Sequence, residues 1–135
     1  MRTIKFRGKT RVNGKWYYGS LVYSDEINAA IYFQIGSGSV KTMDWVYVNQ
    51  ETVGQFSGLY DYNGNEIYEG DILKREKDGL MYVVRVGMFY ASVKECKEDI
   101  LGGFPLNVFT KYEDREYKIV GNIYDNPELL KGGEK

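Results

Sequence analysis

The tetrapeptide Asp61-Tyr62-Asn63-Gly64 constrains the fold more than any other short stretch of the chain. It lies inside GLYDYNGNEIYEGD (58–71), where it forces the backbone to double back. A two-residue Asn63-Gly64 turn would set Asp61 opposite Glu66, and like charges facing each other across a strand pair are destabilising. A type I turn from Asp61 to Gly64, with Gly64 left-handed in a G1 bulge, shifts the pairing by one. Asp is favoured at the first position of such a turn and Gly at the fourth. Leu59 then faces Ile67, so the bulged hairpin is the expected form.

Asn13-Gly14 and Lys77-Asp78-Gly79 give similar reversal signals, the first read as a two-residue hairpin. Residues 3–12 alternate. Ile4, Phe6, Thr10 and Val12 are expected on one side, and Lys5, Arg7, Lys9 and Arg11 on the other. Arg7 and Arg11 should then tolerate charge reversal without loss of the fold. The return strand spans roughly 15–24. Further strands are expected at 29–35, 44–48, 71–76, 80–86, 88–93 and 116–124, with 36–39 a loop. Asn49 should cap one helical turn through Glu51. The segment 94–103 reads as a short helix or a long loop. Pro127, after Asp125-Asn126, reads as the start of a short C-terminal helix. Sixteen per cent aromatics and only two prolines agree with a mostly β protein. At 135 residues, one domain spanning 1–135 is expected.

Composition excludes several chemistries. Histidine is absent, which removes histidine bases, triads and metal ligands. The single cysteine, Cys96, cannot form an intramolecular disulfide, and among Lys94, Glu95, Lys97 and Glu98 it reads as an inert thiol. Neither a signal-peptide core nor an 18-residue apolar run is present, so a cytoplasmic location without membrane insertion is expected. Gly36-Ser37-Gly38-Ser39 lacks the Lys-Ser/Thr ending of a phosphate loop.

Asp61, Glu66, Glu69 and Asp71 raise the question of a calcium or catalytic site. An EF-hand loop begun at Asp61 would place Glu66 where glycine is required and Ile72 where the bidentate glutamate belongs. Asp61, Asn63 and Gly64 therefore read as turn formers. Glu69-Gly70-Asp71 leads into a strand, with Asp71 accepting backbone hydrogen bonds. No metal or cofactor is expected.

Charge is uneven. Residues 1–24 hold six Lys or Arg and no acid, against a net charge of −1 for the chain. Lys5, Arg7, Lys9 and Arg11, with Trp16 and Tyr18 on the partner strand, could bind single-stranded nucleic acid by stacking and phosphate contact. The alternative is a solvated face neutralised by the protein's own acids, which the acidic whole favours.

The run TVGQFSGLYDYNGNEIYEGDIL (52–73) resembles the YopX family of phage and prophage proteins. VGNIYDNPELL (120–130) is similar to that family's closing signature, and IKFRG (4–8) to its first strand. The resemblance implies an SH3-like β-barrel with an N-terminal hairpin, in a phage-encoded protein of the bacterial cytoplasm, and it supplies no catalytic residues. The function expected is a non-enzymatic protein-interaction module for an unidentified phage or host protein, with homo-oligomerisation through a strand edge as a variant. A single-stranded nucleic-acid-binding accessory protein is the alternative, and a small carboxylate-dependent enzyme ranks third.

Overall fold

The computed structural model describes residues 4–23, 28–76, 79–86, 91–95, 104–105 and 117–131. The strands are β1 (Phe6–Lys9), β2 (Trp16–Tyr23), β3 (Ala29–Ser37), β4 (Val40–Val48), β5 (Gly54–Tyr60), β6 (Glu66–Tyr68), β7 (Asp71–Arg75), β8 (Met81–Val86), β9 (Ala91–Glu95), β10 (Phe104–Pro105) and β11 (Tyr117–Asn122). Two 3-10 segments, Gln50–Thr52 and Pro127–Lys131, complete the described elements. The chain divides into two compact units, Met1–Phe56 and Ser57–Lys135, with β5 running from the first into the second.

In the first unit the hydrogen-bonded order is β4-β3-β2-β1-β5, each strand antiparallel to its neighbours. One face of this sheet packs Ala29, Ile31 and Val48 with Phe6, Tyr17, Leu21, Phe33, Val46 and Val53. Gly19 lies opposite Phe6, and a Cβ there would stand 2.0 Å from the Tyr32 carbonyl oxygen, which explains glycine mid-strand. Asn49 caps the first 3-10 turn, its Oδ1 accepting from Glu51 N at 3.3 Å, as the sequence indicates. The Thr52 hydroxyl oxygen accepts from Lys9 N at 2.9 Å, tying that turn to the end of β1.

In the second unit the end of β5 neighbours β6, and a second antiparallel sheet has the order β10-β9-β8-β7-β11. Its core is Ile67, Leu73, Tyr82, Val84 and Tyr117, with Leu59, Leu80, Val86 and Ile119 packed against them. Complete burial of an Ile, Leu or Val side chain stabilises by about 1.5–3 kcal/mol, and Ile67, Leu73 and Val84 are all fully buried.

Several expectations are corrected. Neither sheet closes into a barrel among the described strands; β4 ends one order and β10 and β11 end the other. The C-terminal helix begins at Pro127 as expected but is a five-residue 3-10 segment. The loop at 36–39 shrinks to a turn at Gly38-Ser39, because β3 runs on to Ser37 and β4 begins at Val40. The first hairpin loop spans four residues, 11–14: Thr10 N donates to Lys15 O and Gly14 N to Thr10 O, both at 3.0 Å. Only Gly14 adopts positive φ there. This loop removes Val12 and Arg11 from the strand, leaving Val12 91% exposed. The expected readings of Cys96 and of the helix or loop across 96–103 lie outside the described residues, as do residues 77–78 of the third turn and 88–90 of the β9 region.

Candidate interaction surface

Register decides which side chains share a surface. Arg7 pairs with Tyr18 and Lys9 with Trp16. Val22 pairs with Ala30 and Ser20 with Tyr32. Tyr32 in turn pairs with Trp45, Ala30 with Tyr47 and Gln34 with Met43. Antiparallel partners point to the same side of a sheet. Tyr18, Val22, Tyr32, Met43, Trp45 and Tyr47 therefore line the face opposite the first unit's core. Trp45 is 45% exposed, Tyr47 50% and Met43 56%. The rings are mutually ordered. Tyr32 and Trp45 stack with centroids 6.0 Å apart, and Trp45 meets Tyr47 edge-on at 4.8 Å. Ser20 and Gln34 are polar side chains within this stretch, and Lys41, paired with Gly36, places a positive charge at its end.

The basic residues sit along the β1 side of the same face. The Arg7 guanidinium lies 4.6 Å from the Trp16 ring centroid, and Lys9 Nζ lies 6.0 Å from it. Lys5 Nζ lies 5.8 Å from the Phe56 ring. Such cation–π contacts contribute about 0.5–2 kcal/mol. The structure thus brings Lys5, Arg7, Lys9, Trp16 and Tyr18 together as the strand pairing indicates, but Arg7 is only 5% exposed. Arg7 belongs to the packed structure, contrary to the expected solvent-facing row. Ile4 and Val12, expected on the apolar side, are both exposed. The alternation fails because the strand proper is only four residues long. Arg11 falls in the hairpin loop and lines an open depression with Asn49, Gln50 and Glu51.

The acidic residues of 61–71 sit in the second unit. Asp61 is 6% exposed, and its Oδ1 accepts from Asn63 N at 2.9 Å and Asn65 N at 2.8 Å. Its Oδ2 accepts from Ile119 N at 3.0 Å, clasping the hairpin to β11. Gly64 has φ of 86°, and its N–H donates to Asp61 O at 2.9 Å. Asp61 N donates in turn to Asn65 O, so 61 is opposite 65 and the bulged register holds, with Leu59 packed against the cluster containing Ile67. Asp71 is buried, and its Oδ2 accepts from Tyr68 N at 2.7 Å, closing the Tyr-Glu-Gly-Asp turn. Within that turn Glu69 is partly buried, and Gly70 has φ of 94° and donates to Val84 O at 2.9 Å. Asn63 is exposed at the hairpin tip. These side chains carry the local architecture. Sequence reasoning missed Tyr32, Met43, Trp45 and Tyr47. The signal was alternation through 40–47, hidden because the segment follows the glycine-serine stretch.

The architecture defines an antiparallel β protein whose two sheets stay open among the described strands, the first presenting an exposed aromatic face. The sequence profile of the YopX protein family matches residues 5–131, and the chain belongs to that family. A solved structure of similar fold is protein EF1440 from Enterococcus faecalis. It is 22% identical with a TM-score of 0.58, over 96% of this chain and 99% of that one. No curated protein matches the chain. No helix among the described residues is long and apolar enough to cross a membrane.

Proposed function

We propose that this protein is a non-enzymatic interaction module whose partner is a protein, docked on the outer face of β2, β3 and β4. The observation that carries this reading is the exposed, uncharged set Tyr18, Val22, Met43, Trp45 and Tyr47 around the partly covered Tyr32. Aromatic residues and methionine are enriched, and charge depleted, at the centres of protein interfaces. Trp and Tyr dominate their hot spots. A phage or host protein in the bacterial cytoplasm is the partner class this reading takes. The SH3-type relationship belongs to the same reading and rests on the family resemblance and the short strands joined by tight turns from β6 to β8.

Single-stranded nucleic acid ranks second, favoured by the cations placed beside Trp16. Against it, Arg7 is buried and the rings of Trp16 and Phe56 already receive cations of the chain itself. The test is affinity capture from phage-infected cells, followed by binding of the purified captured protein. Trp45→Ala should weaken that binding at least tenfold, about 1.4 kcal/mol, with the melting temperature little changed. Equal affinity for wild type and variant would remove the face from the reading. Micromolar binding of single-stranded DNA that weakens steeply with salt would put nucleic acid first.

A further inference from the structure

We infer that the first partner of this face is a second copy of the chain, paired antiparallel along β4 with Met43 on the two-fold axis. The inference rests on the reading of the outer face as an interaction surface and names how it is extended. β4 is the end strand of its sheet. It runs nine residues without proline, glycine or a register shift, and among the described residues β3 is its only strand neighbour. Natural edge strands are blunted by shortness, proline, bulges or charge. Here only charge is used, at Lys41 and Asp44, and those two residues select a register.

A two-fold axis perpendicular to the sheet keeps both outer faces on one side, so each residue must pair with one of its own parity. Lys41 or Asp44 on the axis would oppose like charges. Thr42 on the axis would set Lys41 against Met43 and Asp44 against Val40. Trp45 on the axis would set Asp44 against Val46. Met43 on the axis is the choice that gives both charged residues a complementary partner. Lys41 then meets the ring of Trp45 of the other copy, Asp44 meets the Thr42 hydroxyl, and Val40 meets Val46. On the outer face the two methionines touch between two Lys–Trp pairs, and the aromatic surfaces of both copies become continuous.

The backbone agrees with this register. Trp45 N donates to the carboxylate of its neighbour Asp44 at 2.8 Å, so this N–H points away from β3. Ladder groups alternate along a strand, so those of Lys41, Met43 and Trp45 all point outward. With Met43 on the axis these three residues oppose Trp45, Met43 and Lys41 of the second copy, and every outward group in the segment finds a partner. The Trp45 N–H exchanges Asp44 for a carbonyl, freeing Asp44 for Thr42.

The test combines mass measurement with register-specific cross-linking. Sedimentation of the full chain should show a monomer–dimer equilibrium. Met43→Lys, which opposes two ammonium groups on the axis, should weaken it at least tenfold with an unchanged circular dichroism spectrum. In a Cys96→Ser background, Met43→Cys should form a disulfide dimer on mild oxidation. Thr42→Cys and Asp44→Cys should each stay uncrosslinked alone and cross-link when the two variants are mixed. A monomer at several hundred micromolar overturns the proposal, as does a dimer indifferent to Met43→Lys or a different cross-linking pattern. If the chain is monomeric while partner capture still depends on Trp45, only the dimer is lost. If the β4 dimer forms while capture ignores Trp45, only the function proposed above is lost.

Discussion

Gly64 sits with φ of 86°, and no heavy atom lies within 4 Å of where a Cβ would be. Alanine there meets no steric neighbour, so its cost is conformational alone. Gly64→Ala should destabilise by about 1 kcal/mol or more, and Gly64→Asn by less, because Asn tolerates the left-handed region better. Urea melts of both variants check this, and an unchanged midpoint for alanine would contradict the bulged register. Arg7 carries the opposite lesson. By period it belongs with solvent-facing cations, yet it is buried beneath the Trp16 ring contact. Arg7→Glu should cost about 3 kcal/mol or more, since it buries a charge without its ring partner. Arg11→Glu, in the exposed loop, should stay within about 0.5 kcal/mol. A thermal melt of each variant separates the two.

At the level of elements, the second hairpin was legible because its chemistry is local. Asp61, Asn63 and Gly64 carry the turn and the Asp61–Glu66 repulsion rules out the other register. What no local rule supplies is the contact from Asp61 to Ile119, which are distant in sequence. Removing the carboxylate leaves the N–H groups of Asn63, Asn65 and Ile119 without that acceptor. Asp61→Ala should therefore destabilise by about 2–4 kcal/mol, hydrogen bonds to charged groups being worth about 1.5–3 kcal/mol each and water replacing part of the loss. Amide exchange at Ile119 should rise in the variant; unchanged protection there would mean the clasp is not formed. The first hairpin misled for the converse reason. Asn13-Gly14 signals a two-residue turn, but Thr10 and Asn13 side chains accept from Val12 N and Lys15 N and hold a wider loop. The candidate surface was half legible. Trp16 and Tyr18 follow from alternation beside the basic strand, whereas Trp45 and Tyr47 join them only through the β3–β4 register.

For the molecule as a whole, charge is divided between the two units. The first holds seven Lys or Arg against four Asp or Glu, the second eleven against fifteen. The acidity of the whole chain thus argues less against polyanion binding than it does when the chain is taken as one body. The burial of Arg7 and the cations already held over Trp16 and Phe56 argue more. The separation in sequence of paired strands also has a kinetic meaning. β3 and β4 pair from Ser37↔Val40 out to Ala29↔Val48, with only Gly38 and Ser39 between them. β7 and β11 pair Arg75 with Tyr117, which requires closing a far longer loop. Local pairings form sooner than distant ones. On the ribosome the β3–β4 ribbon can be complete before Tyr117 has been synthesised. Pulse-labelled hydrogen exchange during refolding should accordingly find amides of β3 protected before those of β11. For that interval the long outer edge of β4 is exposed on an incomplete chain, and neighbouring nascent chains on one messenger RNA are then the copies best placed to meet it.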